Sequence, residues 1–196
     1  MRAIGIDPGT GRCGFGIVDK NGNEISAIDY GIIETPKEME LIERIHIVYQ
    51  GVKELITLYK PQVMGVETLY FNKNITTAIS VAEARGVILL AGYQENIPVF
   101  ECTPLQVKQQ VVGYGRAEKE QVIKMIMHMM HITSKISPDD AADALAKAGE
   151  AKDAAKAADD KAVAAADAAK AADDKAVAAD TKADGAVAKA EAADAK

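Results

Sequence analysis

Over the first 145 residues, short apolar runs alternate with turn signals. Residues 3–6 and 14–19 read as strands, and 25–34 as a third. The Asn21-Gly22 pair between the last two predicts a tight hairpin. Leu41, Ile45, Val48, Val52, Leu55 and Tyr59 recur at steps of three and four, which predicts an amphipathic helix. Residues 63–66 are short, apolar and β-branched, as in a buried strand. Residues 74–94 predict a helix with Ile75, Ala78, Ile79, Ala82 and Val87 apolar, and 98–102 another strand. Helices follow over 103–112 and 117–131, parted by Gly113-Tyr114-Gly115. Ser137-Pro138-Asp139 opens a last helix, with Ser137 as N-cap and Pro138 in the first turn. Antiparallel strands followed by alternating helices and strands predict an α/β protein: a mixed sheet with helices on its faces.

The pattern changes near Leu145. Beyond it the only apolar side chains larger than Ala are Val163, Val177 and Val187, and AAKAADDKAVAA occurs at 154–165 and again at 168–179. The sequence therefore divides into a folded domain over 1–148 and a low-complexity Ala/Lys/Asp extension over 149–196. Alanine favours helix, but such a segment has little large apolar surface to bury, so a solvent-exposed helix or disorder is expected. Leu145 is then the last large anchor for the helix that begins near Ser137.

Charge and cysteine content narrow the class. The formal net charge is −6. Residues 146–196 hold 9 Lys against 11 acidic side chains, leaving 14 Lys and Arg against 18 Asp and Glu before them. Neither part has the basic surplus usual in nucleic-acid binders, although a basic face can coexist with an acidic remainder. Cys13 and Cys102 form no CxxC or Cys/His cluster, which argues against a disulfide framework or zinc site and for reduced thiols. No apolar run approaches the roughly 18 residues of a membrane span, and Asp7 interrupts the amino terminus too early for a signal peptide. A soluble, cytoplasmic protein is expected.

Acidic residues in three segments stand out. Asp7 ends the first strand, where it could simply cap the Pro-Gly-Thr-Gly turn. Glu67 ends the strand VMGVE in the same way. Adjacent strands lie roughly 5 Å apart, so carboxylates at neighbouring ends either repel or share a cation. In PDDAADALA, Asp140 and Asp143 are three apart and share a helix face, and Ala141, Ala142 and Ala144 allow close approach to a sheet. The helix dipole accounts for Asp139 and Asp140, and less well for Asp143. Carboxylates from distant segments, without His or Cys, suit a hard cation such as Mg²⁺ or Mn²⁺. Two such ions can drive phosphodiester hydrolysis. His128 and His131 lie three apart in MIMHMMH with no third ligand, and His46 is also alone, so all three are read as incidental.

GIDPGTGRCGFGIVD, VETLYFNKNITTAISVAEARGVIL, PVFECTPLQVKQQVVGYGRAEKEQV and SPDDAADALA, in this order and spacing, resemble the RuvC family of Holliday-junction resolvases over residues 1–148. The resemblance implies an RNase H-like fold, a homodimer, and Mg²⁺-dependent symmetric nicking of four-way junction DNA during recombination and repair. A branch-migration motor is a further implied partner. The family's acidic tetrad falls on Asp7, Glu67, Asp140 and Asp143, as both metal ligands and catalytic groups. The loop after Glu67 offers Tyr70, Phe71 and Lys73 to DNA, with an aromatic ring able to stack on an unpaired base. Lys108, Arg116 and Lys119 match basic positions expected near phosphate. Residues 74–94 resemble the dimer-contact helix, whose Ala78, Ser80, Ala82, Ala84 and Gly86 permit close approach. The family continues past DALA with an apolar helix and a basic end; this chain continues with KAGEAKDAAKAADDKAV. Two other readings remain: a branched-DNA-binding module with an impaired site, and a sugar kinase- or actin-like ATPase with a similar phosphate-binding hairpin.

Overall fold

Gly5, Gly16 and Gly65 form one transverse row across three adjacent strands, since Gly5 pairs with Gly16 on one side and Gly65 on the other. That row sets the architecture. The computed structural model describes residues 1–158 apart from 23, 70–74, 134, 135, 137, 138, 140 and 152, and the side chains of 75–77 also lie outside it. The elements are β1 (Arg2–Asp7), β2 (Arg12–Asn21), β3 (Glu24–Glu34), α1 (Leu41–Tyr59), β4 (Val63–Glu67), α2 (Ile75–Gln94), β5 (Val99–Cys102), α3 (Pro104–Val112) and α4 (Lys119–Met129). The chain is helical again over 141–151, here α5, and over 153–158. Internal contacts divide it into two units, Met1–Ala155 and Lys156–Lys196. The first holds the sheet and helices α1 to α5. In the second, residues 156–158 are helical.

The five strands run in the order β3-β2-β1-β4-β5. β1, β2 and β3 are antiparallel neighbours, while β4 and β5 run parallel to β1. Gly22, in the β2–β3 turn, has φ 58°, a left-handed conformation that glycine adopts without strain.

Side chains alternate along a strand, so the sheet has two distinct faces. One carries Ile4, Ile6, Ile17, Met64 and Val66, which pack with Val48, Val52 and Ile56 of α1 and Ile88 and Ala91 of α2. The other carries Ala3, Val18 and Val63, which pack with α3, α4 and α5. In α1, Val48 and Val52 of the expected stripe are buried together with Ile56, which the stripe did not include, while Leu41 is exposed. α2 is apolar on more than one side and turns Ala84, Ile88 and Ala91 inward. Ile79, expected among its apolar positions, is exposed.

The glycine row lies on the α5 face. With no side chains there, the helix backbone settles on the sheet: a Cβ built on Gly16 would come within 2.6 Å of Leu145 N, and one on Gly65 within 2.4 Å of the Lys147 carbonyl oxygen. Ala141, Ala142, Ala144, Ala148, Ala151 and Ala155 are buried, as is Leu145. The turns after Leu145 therefore pack although their side chains are small, because the surface beneath them is lowered to match. Burying Leu145 contributes about 1.5–3 kcal/mol; the alanines add many close contacts. Asp153, just beyond α5, receives Lys20 of β2 at 3.3 Å and Gln110 of α3 at 2.7 Å, which fastens the end of the helix.

Ser137, Pro138, Asp140 and the loop residues Tyr70, Phe71 and Lys73 lie outside the described residues.

Candidate active site

Asp7 is the last residue of β1, and alternation puts it on the same face as Ala3 and Gly5. Glu67 ends β4 on the face of Val63 and Gly65. Ile6 pairs with Val66, so these two acids are the next step along neighbouring strands, and both face α5. Arg85 of α2 steadies the end of β4, donating from Nε to the Glu67 carbonyl oxygen at 3.0 Å. Thr68 N donates to the Cys102 carbonyl oxygen at 3.0 Å, which extends the β4–β5 pairing past the site.

The cation between the two acids belongs to the protein. Lys147 of α5 donates from Nζ to Asp7 Oδ1 and lies 2.5 Å from Glu67 Oε2. The two carboxylate oxygens are therefore within twice that distance of each other. The Lys147 side chain is only 2 % exposed. Burial alone would push its ammonium toward the neutral form, but the two carboxylates outweigh this and hold its pKa above the ordinary lysine value. Two anions and one cation leave the cluster with a net negative charge.

Asp143 lies one helical turn before Lys147. Lys119 of α4 approaches its Oδ2 at 3.1 Å and that of Asp139 at 3.7 Å. Glu67, Asp143 and Lys147, with Lys108 and Lys119, line one cavity of about 180 Å³, floored by Val107 and Val122. Three of the acids expected from sequence are thus brought to one region, two through a shared ammonium and the third through a shared cavity. Asp140, the fourth, lies outside the described residues. Lys108 and Lys119 are beside the acids, whereas Arg116 is exposed in the turn between α3 and α4. His46, His128 and His131 are exposed.

Among the described residues, no three His, Cys, Asp or Glu side chains form a ready-made metal cluster. The donor chemistry nonetheless fits a divalent cation. Asp7 and Glu67 already converge on one cation, and Asp143 offers a carboxylate at the cavity that Glu67 lines. Thiolate chemistry does not fit. Cys13 and Cys102 are buried and not disulfide-bonded, and burial pushes the Cys102 thiol up to about 12.

Lys147 was not among the residues singled out from sequence. The available signal was its position four residues after Asp143, which places both on one helix face; the surrounding alanine-rich composition masked it.

A larger apolar groove, about 600 Å³, lies between α1 and α2, lined by Met39, Ile42, His46, Val87 and Leu90 among others. It is on the opposite face of the sheet from α5, and Asp7, Glu67 and Asp143 do not line it.

A mixed sheet in this strand order, flanked by helices and carrying acids at adjacent strand ends, defines an RNase H-like protein. Residues 3–149 match the family described as crossover junction endodeoxyribonuclease RuvC. The RuvC protein of Petrotoga mobilis is 52 % identical over 148 residues, spanning 76 % of this chain and 91 % of its own. That of Fusobacterium nucleatum is 50 % identical over 146 residues, or 74 % and 77 % of the two chains. Among solved structures, T. thermophilus RuvC in complex with a Holliday junction substrate aligns with a TM-score of 0.72 at 31 % identity, covering 76 % of this chain and 90 % of that one. The chain belongs to the RuvC family of crossover junction endodeoxyribonucleases. The family is one of nucleases of DNA recombination and repair and uses divalent metal. No described helix is long and apolar enough to cross a membrane.

Proposed function

We propose that Asp7, Glu67, Asp140 and Asp143 are the metal-holding acids of a Holliday-junction resolvase that acts on four-way DNA with Mg²⁺ or Mn²⁺. Family membership makes the chain a crossover-junction endonuclease; the proposal concerns which of its side chains do the work. The observation that carries it is the convergence of Asp7 and Glu67 on one cation at adjacent strand ends. Bound divalent ions supply activation of water and stabilisation of the leaving oxygen. The chain's own residues do the rest. β1 and β4 fix the spacing of two carboxylates, and α5 carries Asp143 to the cavity that Glu67 lines. Lys108 and Lys119, on the same cavity, offer positive charge to a phosphate. Arg116 is exposed for a further backbone contact, and Tyr70, Phe71 and Lys73 are assigned to the branch point, where a ring stacks on an unpaired base.

Symmetric nicks call for two copies of the site, which a two-fold homodimer provides. The outer face of α2 supports one: Ile79, Leu90 and Tyr93 are 55 %, 47 % and 79 % exposed, and Leu90 also lines the apolar groove beside α1. Ala84 is buried within the single chain. A branch-migration motor is the further partner, and the cytoplasm the site of action.

Nicking of an end-labelled four-way junction across a range of Mg²⁺ and Mn²⁺ tests this reading. Metal-dependent nicks at symmetric positions, lost with chelator and with Glu67→Gln, are expected. Binding without nicking at every metal concentration, or nicking that survives Glu67→Gln, contradicts it.

A further inference from the structure

A lysine buried between two acids that are assigned to a metal needs its own explanation. Lys147 Nζ and a divalent cation would compete for the same two carboxylates. The ammonium is paired with Asp7 Oδ1 and Glu67 Oε2 at once, so it stands where a divalent cation held by both acids would stand. Two cations cannot share that position. The amine is also delivered from a well-anchored helix: α5 rests on Gly5, Gly16 and Gly65 through its backbone, and Leu145 is buried beside it. The lysine is therefore a tethered competitor, present at a high local concentration that dilution does not reduce. It has somewhere to go, since its side chain borders the cavity of about 180 Å³ that Asp143 also lines.

We propose that Lys147 is an internal counter-ion that occupies the Asp7/Glu67 position and sets the chain's affinity for divalent metal, which binds there only when the ammonium withdraws into the adjoining cavity. This rests on the assignment of Asp7 and Glu67 as metal ligands. A site filled by its own ammonium most of the time binds metal with an apparent affinity reduced by the fraction of time it stands open. The ammonium also satisfies two acids that would otherwise repel, so it holds the strand ends and α5 together in the absence of metal.

Calorimetric titration of Mn²⁺ into the full chain, wild type against Lys147→Met, reads this directly. The variant is expected to bind Mn²⁺ at least about tenfold more tightly; equal or weaker binding by the folded variant overturns the proposal. Removing a buried ammonium leaves two carboxylates unpaired, so the variant can fail to fold. The wild type supplies a second readout. Acylation of Lys147 by acetic anhydride, followed by mass spectrometry with Lys53 as the internal reference, is expected to be slow without metal and to rise several-fold with Mn²⁺. No rise at any Mn²⁺ concentration overturns the proposal. Asp7→Asn separates the two levels. If it removes Mn²⁺ binding while Lys147 of the wild type reacts no faster with Mn²⁺ and Lys147→Met binds no more tightly, the ligand assignment stands and the counter-ion falls. If Mn²⁺ binding is indifferent to Asp7→Asn, both fall.

Discussion

Gly5 lies directly beneath Ala144: a Cβ added to the glycine would stand 2.0 Å from the Ala144 carbonyl oxygen. That is inside van der Waals contact, and the obstacle is backbone, which cannot rotate away. α5, and with it Asp143 and Lys147, owes its height above the sheet to a missing side chain on β1.

Gly5→Ala is therefore expected to lift α5 or strain the sheet, at a cost of about 3 kcal/mol. Urea denaturation reads this as a lower midpoint. A midpoint equal to that of the wild type would show that the helix does not rest on the strand as closely as described.

Glu150 makes stability depend on pH in an unusual direction. Burial raises its carboxyl from 4.5 to about 6, although a hydrogen bond with the Cys102 thiol pulls the other way. Its Oε2 is buried without a hydrogen-bond partner. The folded chain keeps this proton up to about pH 6, whereas the unfolded chain releases it near 4.5. More protons are then bound in the folded state, so this group's contribution falls as pH rises through that window. Glu150→Gln removes the penalty. Because the side chain is only partly buried, the gain at neutral pH is about 1 kcal/mol or less, and it disappears below pH 4.5. Thermal unfolding at the two pH values measures it; an equal gain at both would contradict the assignment.

Leu90→Glu places a charge on the apolar outer face of α2, 47 % exposed in one chain. Light scattering is expected to report a dimer for the wild type and a monomer for the variant, with unchanged thermal stability of the single chain. An unchanged mass would move the dimer contact elsewhere.

How much of this was visible in the sequence depends on what kind of side chain did the packing. β1 and β4 announced themselves as apolar runs ending on acids, and those ends meet. α1 was legible because six large side chains recur along one stripe. α2 was harder, since apolar residues surround it: Ile79, part of the expected stripe, faces outward, and Ile88 faces the sheet. α5 was the least legible. Its alanines look like surplus in a low-complexity run, and only the register that aligns Gly5, Gly16 and Gly65 shows why small residues suffice there. Lys147 was hidden for the same reason. The rule that paired acids repel or share a cation anticipated a cation; that it would be a lysine from the alanine-rich helix depended on tertiary placement.

Asp7→Asn gives the most direct measurement on the acidic site, because the amide keeps the shape of the side chain and removes its charge. With Mg²⁺ and a labelled four-way junction, the variant is expected to bind DNA within a few-fold of the wild type while nicking falls at least about a thousandfold, or some 4 kcal/mol in the barrier. Nicking by Asp7→Asn within tenfold of the wild-type rate would mean that the acids at the strand ends do not carry the reaction.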